Sequence, residues 1–182
     1  MRFLAPFCIL PVLTSAAILV NRTIDDQYGD IVTGALPTYA PSNQWAYGPS
    51  CNSCFIHPGN PYRFGAVVDV SQVYNGSWHD TTYHPNLHTP TITVTFVGQA
   101  VYVYSIIANT IANVTTLTSL VFTLDGEVVG HFKHGPDSLG PVLVYNIPVY
   151  VNSSIPYGDH TLKISTEAGT TSLLLFDYIT YT

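Results

Sequence analysis

The fold is indicated most clearly by the stretch that ends the chain, Leu173–Tyr181, which reads LLLFDYITY. A short apolar and aromatic run of this kind is typical of a buried β-strand. The earlier segment Thr91–Phe96 alternates strictly and places Ile92, Val94 and Phe96 on one face. Segments of both kinds follow one another from Thr91 to Thr182. The sequence therefore predicts an antiparallel β-sandwich.

Working outward from the last strand, the same pattern predicts most of the other strands. Strands are expected at Leu120–Leu124, Val128–Phe132, Val142–Val151 and His160–Ser165. The run Ala100–Ala108 is continuously apolar and aromatic, which predicts a central strand covered on both faces. Eight or so strands favour a jelly roll, in which two packed sheets limit the exposed edges.

Turn residues and weaker strand signals complete the organisation. Asp125-Gly126 predicts a type I′ hairpin turn, because such a turn needs positive φ at both central residues. Shorter strands are predicted at Arg22–Asp25, Ile31–Thr33 and Val67–Tyr74. Residues 37–65 carry five prolines and are expected to form loops.

The first seventeen residues have the pattern of a signal peptide. Met1-Arg2 is basic, Phe3–Leu13 is mainly apolar, and Thr14–Ala17 offers small residues for cleavage. An N-terminal membrane anchor is the alternative, but the stretch is short and two prolines interrupt it. We therefore expect a leader at 1–17 and one β-sandwich domain at 18–182. Without a second apolar span, we expect a secreted protein that is not inserted in a membrane.

The scarcity of charge argues against two classes of partner. Only 9% of the residues are charged, and the formal net charge is −6. Beyond the predicted leader the fixed cations are Arg22, Arg63, Lys133 and Lys163, and they do not cluster. Nucleic acids and anionic membrane surfaces both require clustered basic side chains, so neither is expected as a partner.

Sequons and cysteines agree with export. Four Asn-x-Ser/Thr motifs, at Asn21, Asn75, Asn113 and Asn152, predict an N-glycoprotein. Cys51-Asn-Ser-Cys54 predicts a disulfide in an oxidising compartment. A redox dithiol would need its first cysteine at the start of a helix, which the surrounding prolines disfavour.

One polar and aromatic segment, Asn75–Pro85, is the candidate ligand-binding region. Trp78 and Tyr83 supply aromatic faces for sugar C–H groups, while His79 and Asp80 supply polar groups for hydroxyls. The alternative is structural, with Trp78 as a core anchor and the two polar residues closing a turn. A glycan on Asn75 would crowd a binding surface here.

Two sets of side chains are candidate metal ligands. One set is His79, His84 and His88, and the other is Asp25, Asp26, Asp30 and Asp177. The histidine spacing matches no standard ligand set. In many jelly rolls the first and last strands are neighbours, so Asp25, Asp26 and Asp177 would meet and form a structural calcium site of hard oxygen ligands. The alternative is that Asp25-Asp26 opens a turn and that Asp177 bonds to nearby backbone or hydroxyl groups. No other cofactor is expected.

Catalysis is the third function class. The chain has no Gly-x-Ser-x-Gly or His-Glu-x-x-His motif. The carboxylates available for glycoside hydrolysis or a lyase reaction are Asp80, Asp125, Glu127, Asp137 and Asp159. A glycosidase needs two of them about 5–10 Å apart in one cleft.

Several motifs, taken in order, resemble a known group of proteins. They are Thr23–Asp26, Gly76–Asp80, Val121–Gly126, Gly158–Leu162 and Leu175–Ile179. Together they resemble secreted or membrane-anchored fungal proteins that carry a galactose-binding-like jelly-roll domain. The likeness extends from about Asn21 to Thr182. It implies a sandwich related to carbohydrate-binding modules, and a sugar ligand by analogy of fold.

We therefore expect a secreted, N-glycosylated, non-catalytic β-sandwich that binds a glycan or a cell-wall polysaccharide. Two alternatives remain open. One is a structural or interaction protein of the cell surface without a small ligand, and the other is a small glycoside hydrolase or polysaccharide lyase. The sequence leaves the oligomeric state open.

Overall fold

Fourteen β-strands and four short 3₁₀ turns make up the part of the chain that is described. The computed structural model describes residues 20–59 and 64–182, so the predicted leader at 1–17 lies outside the described residues. The strands are β1 Arg22–Asp25, β2 Gly29–Asp30, β3 Thr38–Ala40, β4 Ala46–Tyr47, β5 Ile56–His57, β6 Ala66–Val67, β7 His79–Tyr83, β8 Thr91–Gly98, β9 Val101–Ala108, β10 Thr118–Leu124, β11 Glu127–His134, β12 Leu143–Asn152, β13 Gly158–Thr166 and β14 Ser172–Tyr181. The 3₁₀ turns are Ser42–Gln44, Gly48–Ser50, Val70–Gln72 and Tyr74–Gly76.

Two antiparallel sheets form the predicted β-sandwich, which is of the jelly-roll class. One sheet has the order β12-β9-β14-β1-β2, with β7 also pairing with β14 and β4 pairing with β7. The other sheet has the order β11-β10-β13-β8-β3. Apart from them, β5 and β6 form a short parallel pair. The first and last long strands are neighbours, as predicted, with Ile24 opposite Ile179.

The main core lies between the two sheets and follows from the alternation of the strands. Ile92, Val94 and Phe96 of β8 all point into it, as predicted. Leu174 and Phe176 of β14 meet them from the other sheet. Burial of such side chains contributes about 1.5–3 kcal/mol each. The predicted strand at the end of the chain is therefore the centre of one of the two layers.

A second, smaller core covers part of the outer face of the β14 sheet. Leu173 and Leu175 alternate with the inward residues of β14 and point to this face. Residues from the segment between β4 and β7 pack on them, including Ile56, Val68 and Trp78. Within residues 37–65, which are expected to form loops, the structure has the short strands β3, β4 and β5, and Ile56 of β5 belongs to this second core.

Local details of the chain are partly as predicted. Cys51 and Cys54 form the predicted disulfide, with their Cα atoms 5.4 Å apart. Among the described residues no helix is long and apolar enough to cross a membrane. The predicted strand at Ile31–Thr33 is wrong, because these residues form a turn after β2. The predicted strand at Val67–Tyr74 is also wrong beyond Val67, since 3₁₀ turns follow β6.

Candidate functional site

The predicted meeting of Asp25, Asp26 and Asp177 occurs where β14 changes partner. Up to Phe176 that strand pairs with β7, and from Tyr178 onward it pairs with β1. Asp177 lies between, at a break in the register of β14 against β9. The backbone N–H of Asp26 donates to the carbonyl oxygen of Asp177 over 3.2 Å. This change of pairing partner along β14 brings together residues about 150 positions apart in sequence.

The carboxylate of Asp25 accepts hydrogen bonds within a turn and from one side chain. Its Oδ1 accepts hydrogen bonds from the backbone N–H groups of Gln27 and Tyr28, at 2.8 and 2.7 Å. Its Oδ2 accepts from Nδ2 of Asn75 at 2.9 Å. These three bonds fix the carboxylate of Asp25 beside the turn Tyr74–Gly76.

Asp26 is buried and holds two side chains of the segment that leads into β7. Its Oδ1 accepts from the hydroxyl of Ser77 at 2.5 Å, and its Oδ2 lies 2.7 Å from Nδ1 of His79. Burial raises the pKa of Asp26, and the bonds to His79 and Ser77 oppose this rise. The pair ties the first strand of the chain to β7.

Asp177 is the least satisfied acid of the group. Its Oδ1 accepts from the backbone N–H of Tyr74 at 3.0 Å, whereas its buried Oδ2 has no partner among the described residues. Burial raises the pKa of Asp177 to about 8, and the nearby Asp26 and Asp25 add to the rise. The side chain is therefore mostly protonated at neutral pH.

The three carboxylates do not fit a calcium site in this arrangement. Asp25 and Asp26 use both oxygens for protein hydrogen bonds, and Asp177 is mostly neutral. Within the described residues, no three Asp, Glu, His or Cys side chains are grouped so that they could hold a metal ion. The arrangement matches the alternative, in which Asp25 opens a turn and Asp177 accepts from nearby backbone. Calcium binding stays a prediction from the sequence.

Trp78 and Tyr83 are not surface aromatic groups, so their predicted role as ligand contacts needs correction. Trp78 has no exposed surface, and Tyr83 is 3% exposed. Trp78 belongs to the second core, where Gly48 packs so closely on the indole that no side chain would fit there. A large aromatic ring at the start of a strand is stabilised most by burial. The core-anchor interpretation of Trp78 is the one that agrees with the structure.

His79 and Asp80 point to opposite faces of β7 and do not share a surface. His79 stacks on Tyr39, with ring centroids 4.1 Å apart, and contacts Asp26. Asp80 lines a small pocket on the other face, where burial raises its pKa to about 7. Adjacent residues of a strand alternate between faces, which separates the predicted group. His84 and His88 are exposed beyond the end of β7.

A row of tyrosines lies on the part of the β14 sheet that the second core leaves uncovered. Tyr104 of β9 and Tyr178 of β14 are cross-strand neighbours with ring centroids 4.6 Å apart and nearly parallel planes. Tyr74 adds a third ring at 4.9 Å from Tyr178. All three side chains are half-buried. The row is therefore partly accessible to solvent.

A small pocket continues this row. It has a volume of about 140 Å³ and is lined by Thr23, Asp25, Tyr28, Gly29, Ile31, Tyr74 and Asn75. Tyr28 is 63% exposed at its rim. We call Tyr28, Tyr74, Tyr104, Tyr178 and this pocket the tyrosine surface. It combines aromatic rings with the fixed carboxylate of Asp25 and the amide of Asn75.

Sequence reasoning missed the tyrosine surface, although a signal was present. In the run Ala100–Ala108 the tyrosines Tyr102 and Tyr104 alternate with valines, which predicts a face of different character. The apolar character of the run predicts cover on both faces, but only its second half is covered in this way. The contribution of Tyr28 and Tyr74 has no local signal, because it depends on the change of pairing partner along β14 at Asp177.

The remaining predicted residues are on the surface or in turns. Asp125 accepts from the backbone N–H of Thr161 at 2.8 Å and lies 2.7 Å from Nδ1 of His160. Glu127, Asp137 and Asp159 are exposed. Of the predicted glycosylation sites, Asn21, Asn75 and Asn113 are exposed and Asn152 is half-buried.

Comparison with known proteins adds information on the fold. No protein-family model and no curated protein sequence matches the chain. Among solved structures, the Agl-KA catalytic domain matches with a TM-score of 0.51 and 9% identity, over 94% of this chain and 30% of that one. A family 35 carbohydrate binding module from Clostridium thermocellum matches with a TM-score of 0.47 and 10% identity, over 87% of this chain and 95% of that one. The catalytic domain of a GH87 alpha-1,3-glucanase in complex with nigerose matches with a TM-score of 0.40 and 15% identity, over 80% and 28%. At these identities the likeness to Agl-KA establishes the fold alone.

Proposed function

We propose that the chain is a secreted, N-glycosylated, non-catalytic β-sandwich that binds carbohydrate at the tyrosine surface. The observation that carries the proposal is the small pocket between Tyr28 and Tyr74, which joins aromatic rings to a fixed carboxylate. The signal-peptide pattern supports export, and the sequons at Asn21, Asn113 and Asn152 support glycosylation. Asn75 lines the pocket and its Nδ2 bonds to Asp25, so sugar binding there requires Asn75 to carry no glycan. The ligand class is a glycan or a cell-wall polysaccharide.

The chemistry of the tyrosine surface suits a sugar. An aromatic ring offers an apolar face to sugar C–H groups, and the tyrosine hydroxyl bonds to water or to a ligand. Burial raises the pKa of Tyr178 to about 12, so its hydroxyl keeps its proton at neutral pH, and that proton is donated to Oδ1 of Asn146 over 3.4 Å. The surface therefore offers both contacts that a polyhydroxylated ring needs.

The pocket itself is organised before any ligand arrives. Three hydrogen bonds hold Asp25, and its carboxylate still has unused acceptor capacity because two oxygens provide about four lone-pair sites. A polar group that is already fixed loses little entropy when it accepts a sugar hydroxyl.

The proposal is tested by retention of the folded protein on a panel of polysaccharides, with variants of the two rim tyrosines. We expect Tyr28→Ala and Tyr74→Ala each to weaken binding about two- to tenfold, because one aromatic contact is worth about 0.5–1.5 kcal/mol. The matched control is Tyr157→Ala, since Tyr157 is 75% exposed and lies outside the tyrosine surface. Affinity electrophoresis on soluble polysaccharides gives the ratio of affinities.

Three results would contradict the proposal. Absence of retention on every polysaccharide, with a folded sample, would favour the cell-surface interaction protein. Release of reducing sugar from a retained polysaccharide would favour the hydrolase. Equal losses of affinity in Tyr28→Ala and Tyr157→Ala would show that the binding surface does not include Tyr28.

A further inference from the structure

A second candidate site, made of two neighbouring pockets that share Phe55, lies on the outer face of β7, away from the tyrosine surface. Its inner part has a volume of about 120 Å³ and is lined by Cys54, Phe55, Ile56, Asp80, Thr82, Val114 and Leu173. Its outer part has a volume of about 540 Å³ and is lined by Phe55, Phe64, Gly65, Ile111, Ala112 and Asn113. Phe55 borders both parts. We call the two parts together the Asp80 cleft.

The outer part of the Asp80 cleft is an apolar surface left open to solvent. Phe55 is 51% exposed and Phe64 is 89% exposed, and Ile111 is half-buried beside them. Small-molecule sites usually have volumes of about 300–1,000 Å³ and mostly apolar linings, with a few convergent polar groups. The outer part matches that description, and the inner part supplies the polar group.

That polar group is the carboxyl of Asp80. The residue is only 8% exposed, yet none of the described residues donates a hydrogen bond to its side chain. Among the described residues that line the inner part, only Asp80 can carry a charge, because Cys54 is in the disulfide and the others do not ionise. A buried carboxylate without a donor is costly, and no residue of the described ranges 20–59 and 64–182 supplies the donor that Asp80 needs.

Neighbouring titratable groups do not supply that partner. His79, next on β7, is turned toward Asp26, and Asp177 of β14 bonds to Tyr74. On β4, which pairs with β7, Tyr47 is opposite His79. None of them contributes to the shifted pKa of Asp80, which comes from burial alone.

We propose that the Asp80 cleft binds a small organic amine, with the ammonium group on Asp80 and an apolar body in the outer cavity. A charge-assisted bond from an ammonium group is the strongest partner for a carboxylate in apolar surroundings. The net charge of −6 also favours a cation over an anion. A metal ion is a poor fit because the inner pocket offers a single carboxylate.

The proposed site has a predictable pH dependence. A cation binds the ionised form of Asp80, whose pKa is about 7 in the free protein. Affinity for an amine should therefore rise between about pH 6 and about pH 8 and level off above that, while the amine itself stays protonated. A neutral ligand of the same shape should show no such rise.

The test uses 2-phenylethylamine and its neutral analogue 2-phenylethanol as probes, with binding followed by NMR titration of the folded protein. We expect Asp80→Asn to weaken binding of the amine at pH 8 at least tenfold and to leave binding of the alcohol unchanged. The matched control is Asp159→Asn, which removes one negative charge at an exposed position and should bind like the parent. Ala112→Trp, at the exposed rim of the outer part, should weaken binding of both probes.

Three outcomes would overturn the proposal. They are the absence of saturable amine binding at millimolar concentrations, equal affinities of the parent and Asp80→Asn, and equal pH profiles for the two probes. If Asp80→Asn does not fold, the pH profiles of the parent decide. None of these variants alters Tyr28 or Tyr74, so this result is separate from the polysaccharide test.

Discussion

Asp177 shows how far burial changes the chemistry of one residue. In the sequence it was a candidate calcium ligand on the last strand. In the fold it is fully buried, with one oxygen bonded to the backbone of Tyr74 and the other without a partner in the described part of the chain. Its proton is retained because the apolar surroundings disfavour the charge. The same effect operates on Asp80, in a different cavity.

The raised pKa of Asp177 predicts a specific dependence of stability on pH. Between about pH 4 and about pH 8 the folded state holds a proton that the unfolded state has released. The free energy of unfolding must therefore fall as the pH rises through this window. We expect Asp177→Asn to be more stable than the parent at pH 8, by about 1–3 kcal/mol, and to lose this advantage at pH 5.

Thermal unfolding at both pH values checks this expectation, with Asp159→Asn as the exposed control. A difference between variant and parent that is the same at pH 5 and pH 8 would show that ionisation of Asp177 is not involved.

At the scale of elements, the hairpin between β10 and β11 is the clearest agreement between sequence and structure. Asp125 and Gly126 both have positive φ, 52° and 93°, as the predicted type I′ turn requires. The errors lie where side chains bond to nearby backbone. Asp30 accepts from the N–H of Val32 at 2.9 Å and so turns the chain at the predicted strand Ile31–Thr33. Asp69 likewise caps the 3₁₀ turn at Val70–Gln72.

The hairpin gives a prediction at the same scale. We expect Gly126→Ala to destabilise the protein by about 1–2 kcal/mol, because a side chain at positive φ is strained. Open space surrounds Gly126, so the cost is that of the backbone alone. Chemical denaturation measures it, and Gly135→Ala is the matched control because its surroundings are also open and its φ is not positive. Equal midpoints for the two variants would contradict the turn assignment.

At the scale of the whole molecule, the exchange of partners along β14 organises both candidate sites. It places Asp25 and Tyr28 beside Tyr74, and it carries β7 with Asp80 to the adjoining part of the same sheet. A structural calcium ion was expected at this junction. The protein instead satisfies Asp25 and Asp26 with its own donors.

We therefore expect the melting temperature to be the same in millimolar calcium and in a chelator. A calcium ion would have to displace hydrogen bonds that the folded protein already makes, so it would bring little net stabilisation. A calorimetric scan under both conditions checks this, and magnesium serves as the control ion. A rise of several degrees with calcium alone would show that the carboxylates rearrange around the ion.

The sequence by itself determined the features that depend on neighbouring residues. Alternation fixed the inward face of β8, the Asp125-Gly126 dipeptide fixed a turn, and the spacing of Cys51 and Cys54 allowed their disulfide. Tertiary structure alone decided that Trp78 is buried, that His79 and Asp80 are on opposite faces, and that four tyrosines share a surface. The physical reason is that periodicity reports which residues share a face of one strand, whereas strand partners and register arise from packing between distant parts of the chain.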